Sequence, residues 1–412
     1  MLDALADTPS IPIPPIPPGT YLADRLRVLD VLGVGGMGVV YRARDEALER
    51  DVAVKLVDPE RVSDATIRAR FLEEARAMAR VRHPSVVEIY NFGEHRGAPY
   101  FVMEYVAGTT LDAWLRAREE PALALHEAIP LLEGIATALE AIHATGTVHG
   151  DLKPANVLLT SDGRVRLADF GLATDLTSDL ELIGTPAYLS PERIRGDAVD
   201  PALRPRGDLY AFGVLTHQLL TGELPFDAPD VARVYAQHLH KVPPSLTRRL
   251  PEVDLRIDAE LQRLLAKDPA ERAASARELL RVMRLADPTI PHVLVVDDDP
   301  DFRVLARACI EEELEPCVVV ESDGSDVMSL LSARRFELVV LDLHMPNTSG
   351  VELTKAIRAR HPRTDLRILV VTGQGSARDW LELKQLGADA FTVKPLEPVT
   401  FTSAARRLIE AA

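Results

Sequence analysis

Cysteine is nearly absent: Cys309 and Cys317 are the only two in 412 residues. Two thiols exclude a disulfide framework and a four-cysteine zinc site, and such sparing use fits a reducing compartment, so a cytoplasmic location is expected. Long apolar runs are missing as well. No stretch approaches the roughly 18 apolar residues of a membrane-crossing helix, and the first ten residues carry Asp3 and Asp7 where a secretory signal has a basic n-region. No membrane span is expected. Basic charge is in deficit, with 47 Lys plus Arg against 63 Asp plus Glu and a net charge of −16. A chain of that sign repels a phosphate backbone, which argues against a nucleic-acid partner.

What is present is ordinary globular composition, 47% hydrophobic and 27% charged. The length corresponds to about two to three domains at roughly 150 residues each. Residues 11–20 read IPIPPIPPGT, and proline there removes backbone donors and favours polyproline II, so residues 1–20 are expected to be a disordered arm. From Tyr21 to about Leu285, short alternating strands give way after residue 110 to long helical periodicities, the pattern of a small β-rich lobe followed by a helical lobe. The prolines of ADPTIP make residues 286–291 a linker. Beyond it five apolar runs, HVLVVD, PCVVVES, FELVVLD, LRILVVT and ADAFTV, alternate with helix-like segments. Runs apolar on every residue belong to a parallel sheet buried on both faces, so residues 292–412 form a doubly wound α/β domain. Cys309 and Cys317 lie about its first helix and second strand and read as buried structural thiols.

The segment LGVGGMGVVYRA places Gly33, Gly35 and Gly38 at GxGxxG spacing, with Gly36 between them. Glycines let backbone amides approach phosphate oxygens. The β-formers Val39, Val40 and Tyr41 that follow continue a strand, so the loop is a hairpin over phosphates and not the start of a helix. Lys55 then falls in a strand, Glu74 in an amphipathic stretch from Ala65 to Arg80, and further on come VHGDLKPANVLL and ADFGLA. In this order and spacing GxGxxGxV, AVK, HGDLKPAN, DFG and SPE resemble the protein kinases over residues 21–285. The resemblance implies a two-lobed α+β fold that uses ATP and Mg²⁺. Lys55 then contacts the α/β-phosphates with Glu74 as its partner, Asp151 accepts the substrate hydroxyl's proton, Lys153 supports the γ-phosphate, and Asn156 and Asp169 ligate magnesium. Met103, Glu104, Tyr105 and Val106 match the gatekeeper and hinge, with Val40 and Ala53 above the adenine and Leu158 below it. Lys153 two residues after Asp151, together with Thr185 in GTPAYLSPE, resembles the serine/threonine subclass. Glu192 with Arg272, and Asp208, match structural positions. Gly150 stands where the family commonly has an arginine that pairs with a phosphorylated loop, which puts activation through a loop phosphate in doubt. Thr174, Thr177 and Ser178 are open to autophosphorylation or are polar loop residues.

In a doubly wound sheet, ligands collect at the carboxyl ends of the strands. Those ends carry Asp297, Asp298 and Asp299, then Asp342, Thr372 and Lys394. Converging carboxylates repel unless a divalent cation joins them. VVDDD, LDLHMPNTSG, VVTG and FTVKP resemble the receiver domain of response regulators across residues 292–412. That resemblance makes Asp342 the phospho-acceptor and gives Mg²⁺ to Asp297, Asp298 and Asp342 with a backbone carbonyl from His344. Thr372 and Lys394 contact the phosphoryl group and Phe391 is the aromatic switch. Asp299 is either a ligand neighbour or the cap of the first helix.

The expectation is therefore a bacterial-type Ser/Thr protein kinase whose activity or targeting answers to Asp342. Its partners are protein substrates carrying Ser/Thr and a histidine kinase or phosphotransfer protein, and a homodimer stays open. The alternative is an ATP-binding pseudokinase scaffold with the receiver as a docking or phosphate-sink module; the intact Lys55, Asp151, Asn156 and Asp169 speak against it.

Overall fold

A computed structural model of the protein describes residues 16–35, 38–58, 76, 78–169, 186–314, 317–346, 348–373 and 384–411. The chain divides into two units, Met1–Val282 and Met283–Ala412.

The first unit begins with an antiparallel sheet. Its strands β1 (Tyr21–Leu22), β2 (Leu26–Gly35), β3 (Gly38–Asp45), β4 (Arg50–Val57), β5 (Ile89–His95) and β6 (Ala98–Glu104) lie in the order β1-β2-β3-β4-β6-β5. Along β3 every second residue, Val39, Tyr41, Ala43 and Asp45, is buried, the period-2 pattern of a sheet with one face on a core. Central strand β4 brings Lys55 opposite Val40 on one side and Phe101 on the other, while Ala53 faces Met103. The β2–β3 turn demands Gly38: its φ is +142°, and a Cβ there would sit 2.0 Å from the Leu56 carbonyl oxygen.

Helices follow, with buried apolar stripes on Leu125–His143 and on Pro205–Thr221, which is buried along most of its length. Among them runs a small antiparallel sheet of β7 (Gly108–Thr110), β8 (Val157–Thr160) and β9 (Val165–Leu167). Three strands this short escape a reading based on apolar runs, yet they fix the chain on both sides of the catalytic motifs. Arg272 anchors this unit. Its two terminal nitrogens fork onto Glu192 at 2.7 and 2.6 Å, and its other donors meet the carbonyls of Ala266, Arg206 and Lys267, so all five N–H groups are used on a side chain fully removed from solvent. Burial disfavours the Glu192 carboxylate, but Arg272 outweighs it and keeps its pKa below the ordinary value.

The second unit holds five parallel strands, β10 (His292–Val296), β11 (Val318–Ser322), β12 (Leu338–Asp342), β13 (Arg367–Thr372) and β14 (Ala390–Val393), in the order β11-β10-β12-β13-β14. Among its described residues are the helices Pro300–Glu313, Val327–Ala333, Gly350–Arg358 and Pro398–Ile409. Val293 and Val295 enter one core with Phe302 and Phe401, while Leu294 and Val296 enter a second with Leu353 and Ile357. Both faces are thus covered, which is why the strands read as unbroken apolar runs. Cys309 and Cys317 are free, buried thiols in the first of these cores. Asp299 caps the Pro300–Glu313 helix by accepting from the Asp301 amide at 2.9 Å. Among the described residues no helix is long and apolar enough to cross a membrane.

Replacing Arg272 with leucine strands a buried carboxylate, so the unfolding free energy of the first unit should drop by about 3–5 kcal/mol in urea titrations. A midpoint equal to the unmutated protein's would show that the pair carries no such weight.

Candidate functional site

Lys55 of β4 and Asp169 meet in the first unit, with Nζ 2.8 Å from Oδ1. Both line a small cavity together with Met78, Val87, Ile89, Phe101 and Met103. Burial pushes the Asp169 carboxyl toward its neutral form, and the Lys55 ammonium more than offsets this, leaving its pKa below the ordinary value. Asp169 has φ +58°, a left-handed conformation rare outside glycine. Met103 is buried, while Glu104, Tyr105, Val106, Val40 and Leu158 are half-buried, and Ala53 and Met103 are register partners. Gly33 and Gly35 end β2 and Gly38 opens β3.

The turn from His149 to Asn156 is organised from below by Asp208, which is 3% exposed. This carboxylate accepts from the His149 amide at 2.7 Å, the Gly150 amide at 2.8 Å and His143 Nε2 at 2.7 Å. Burial opposes its charge, the His143 bond and the amide from Gly150 favour it, and the net effect is a depressed pKa. His149 Nδ1 accepts from the Asp151 amide at 3.1 Å and Nε2 donates to the Ala168 carbonyl at 3.1 Å, which fixes one tautomer; burial lowers its pKa and keeps it neutral. The Asp151 carboxylate is held by Lys153 Nζ at 2.7 Å and Asn156 Nδ2 at 3.0 Å. Asn156 Nδ2 also reaches the Asp151 carbonyl at 2.8 Å. With its NH₂ so engaged, the amide oxygen is the atom left for another partner, a hard ligand of the kind magnesium accepts. Asp151, Lys153 and Asn156 are thus one cluster, and Lys55 with Asp169 a second.

The second unit gathers its charges at the carboxyl edge of its sheet. Lys394 Nζ lies 2.7 Å from Asp297 Oδ2 and 2.8 Å from Asp342 Oδ2, and 4.2 Å from the centre of the Phe302 ring. Asp297 and Asp342 are buried and Asp298 is exposed; one oxygen from each falls within 4.8 Å of the others. The other oxygens of Asp297 and Asp342 accept from the amides of Asp299 at 3.0 Å and His344 at 3.1 Å. Burial is the largest influence on Asp297 and raises its pKa, with the Asp342 charge adding to it and Lys394 opposing. Burial pulls the Lys394 ammonium toward neutrality, but the two carboxylates prevail and raise its pKa. Three carboxylates against one ammonium leave net negative charge in an oxygen-lined pocket, the environment a divalent cation fits. Thr372 ends β13 buried, and Phe391 on β14 packs against the second core. His344 is exposed.

Glu74, Gly36 and the segment 170–185 with Thr174, Thr177, Ser178 and Thr185 lie outside the described residues. Sequence reasoning missed Arg166 and Arg193. Arg166 bonds the Glu104 carboxylate and the Pro84 carbonyl, tying the end of β6 to β9, and Arg193 bonds the Gly150 carbonyl. Both partners lie more than forty residues away, and no local pattern announces them.

The family model for the protein kinase domain matches residues 26–283, and that for the response regulator receiver domain residues 293–406. The serine/threonine-protein kinase PknB of Mycobacterium leprae is 37% identical over 332 residues, covering 74% of this chain and 51% of its own length. The serine/threonine-protein kinase pkn2 of Myxococcus xanthus is 40% identical over 283 residues, covering 66% of this chain and 33% of its own length. The chain thus spans about half or less of the curated relatives it matches. The crystal structure of the Mycobacterium tuberculosis PknI kinase domain superposes with a TM-score of 0.55 at 32% identity, covering 66% of this chain and all of that one.

Because the folded pKa of Asp208 is depressed, its contribution to stability is present above the ordinary carboxylate value of 3.8 and is lost as pH falls through the lower folded value. The stability gap between the unmutated protein and an Asp208→Asn variant should therefore be widest above about pH 5 and shrink progressively as pH falls below the ordinary value of 3.8. A gap independent of pH in urea titrations would contradict this charge assignment.

Proposed function

The chain belongs to the protein kinase family and carries a response regulator receiver domain, and from that premise we propose that it moves the γ-phosphoryl group of ATP onto serine or threonine hydroxyls of protein substrates, in bacterial signalling governed by Asp342. The observation that carries the first half is the Asp151 carboxylate held between Lys153 and Asn156. As the substrate oxygen bonds to the γ-phosphorus and the bond to the β–γ bridging oxygen breaks, the hydroxyl proton passes to Asp151 and ADP departs. Lys153, 2.7 Å from the same carboxylate, is placed to hold an equatorial oxygen of the group in flight. Lys55, 2.8 Å from Asp169, would hold the α- and β-phosphates under the glycine-rich segment of Gly33, Gly35, Gly36 and Gly38. Glu74 is assigned as its partner. Asn156 and Asp169 would hold Mg²⁺, which neutralises charge on the phosphates. The adenine would lie between Val40 and Ala53 above and Leu158 below, bonded to the backbone of Glu104 and Val106 beside Met103.

For the second half, Lys394 bridging Asp297 and Asp342 supports a phosphoryl-accepting aspartate. An Asp342 oxygen attacks the phosphorus of a phosphohistidine on a histidine kinase or phosphotransfer protein, the P–N bond breaks, and imidazole leaves. Lys394 and the Thr372 hydroxyl would bind the new acyl phosphate, and Phe391 responds to the shift of Thr372. Asp297, Asp298 and Asp342 would hold Mg²⁺, which offsets the charge of the entering group. The domain assignments proposed with this are an arm over 1–20, the kinase domain over 21–285, a linker over 286–291 and the receiver over 292–412.

The test is γ-phosphate transfer by the purified full chain with and without a small acyl-phosphate donor. Phosphoserine or phosphothreonine should appear and fall by about 10²–10⁴-fold in Asp151→Asn, the usual worth of a general base; ATP binding with no transfer by the unmutated chain would sink the kinase assignment. The donor should change the rate or the choice of protein substrate in the unmutated chain and do neither in Asp342→Ala. Indifference of both to the donor would remove the receiver from control.

A further inference from the structure

We infer that Arg193 is a positioning residue for the catalytic turn, and that it does by a fixed guanidinium what a loop phosphate does elsewhere. The inference rests on Asp151 being the proton acceptor. Arg193 lies in the short Pro191–Arg195 helix, directly after Glu192, whose carboxylate is locked onto Arg272. Its backbone is therefore held at a buried anchor. From there its Nη1 donates to the carbonyl oxygen of Gly150.

That carbonyl belongs to the same peptide unit as the Asp151 amide. The unit is thus gripped at both polar ends, the oxygen by Arg193 and the N–H by His149 Nδ1 at 3.1 Å. The preceding amide of Gly150 is pinned to Asp208 at 2.8 Å. Gly150 has φ +78°, a left-handed conformation that any other common side chain adopts only under strain. This conformation sets the direction of the carbonyl that Arg193 meets. With the plane of the Gly150–Asp151 peptide fixed, the φ rotation of Asp151 is the main backbone freedom left to aim its carboxylate. The bonds from Lys153 and Asn156 then settle that.

Several acids stand near Arg193. Gly150, Asp151, Glu192, Asp197 and Asp208 line one cavity of about 290 Å³ with it, yet Asp151 is paired with Lys153, Glu192 with Arg272, Asp197 with Arg195 and Asp208 with His143 and two amides. A guanidinium here is charge-complementary to the peptide dipole and supplied by the chain itself. On this reading the bond from Arg193 to the Gly150 carbonyl holds the peptide whether or not another residue is phosphorylated.

Arg193→Ala in the full chain should lower kcat by about 10²-fold, the cost of a roughly 1 Å misplacement of a reacting group, while the KM for Mg-ATP and the melting temperature stay near those of the unmutated protein. Arg193→Lys, which keeps one donor, should recover part of the rate. Because the cavity is large enough for the missing group, millimolar guanidinium should restore activity to Arg193→Ala and leave Asp151→Asn unaffected. Phosphatase treatment of the unmutated chain should leave its rate unchanged. A kcat within twofold in Arg193→Ala, or a loss that tracks the melting temperature and answers to neither lysine nor guanidinium, overturns the assignment, as does a rate that collapses on dephosphorylation. Should the alanine variant not fold, the lysine variant decides on the same kcat-against-KM split. Transfer that persists in Asp151→Asn removes the premise on Asp151 and is separable from every Arg193 result.

Discussion

The buried carboxylate of Asp208 is the constraint on which the first unit's chemistry depends. At 3% exposure it is tolerable only because His143 and the amides of His149 and Gly150 donate to it. Those bonds do more than stabilise a charge. Two consecutive amides turned toward one carboxylate dictate the backbone path at 149–150, which hands the Asp151 amide to His149 Nδ1 and leaves Nε2 for the Ala168 carbonyl. Ala168 precedes Asp169, so one imidazole couples the turn of Asp151 to the backbone that carries Asp169. The Glu192–Arg272 pair is a second anchor of the same kind, with every guanidinium N–H of Arg272 used.

The second unit uses the opposite arrangement. There the carboxylates of Asp297 and Asp342 are buried but under-compensated, since they share one ammonium and stand next to Asp298. The raised pKa of Asp297 records that imbalance. A fully satisfied network rigidifies a turn, whereas a partly satisfied one keeps a preference for added positive charge or for a change at one of its members. The contrast separates one carboxylate that organises a turn from two that share a single ammonium, although all three are among the least exposed acids of the described residues.

Much of this was legible in the sequence because the relevant residues are fixed by their neighbours. Asp151, Lys153 and Asn156 fall within one six-residue turn, so spacing alone conveys that they meet. The unbroken apolar runs of β10 and β12 convey a sheet covered on both faces, and with it the edge where Asp297, Asp342 and Lys394 collect. The bonds of Arg166 to Glu104 and of Arg193 to Gly150 join residues 62 and 43 positions apart. An exposed-looking arginine in a polar segment carries no mark of the carbonyl it will reach. The β7–β8–β9 sheet was hidden for a different reason: its three- and four-residue strands are too short for a period to register.

Energetic scale links the two halves of the argument. A tenfold change in a rate or a binding equilibrium corresponds to about 1.4 kcal/mol, and allosteric couplings are typically about 1–3 kcal/mol. A phosphoryl group on Asp342 would replace its single carboxylate charge with that of a phosphate, so the ammonium at 2.7 and 2.8 Å would redistribute between Asp297 and the more highly charged phosphoryl group. Changes in interactions between charged groups at such distances fall on the scale of such a coupling. The input therefore needs no large rearrangement of the parallel sheet. It needs only that Thr372, at the end of β13, and Phe391, on the paired strand β14, have two arrangements whose free energies differ by less than the change at Lys394, since a ligand shifts an equilibrium only by the difference in its affinity for the two states.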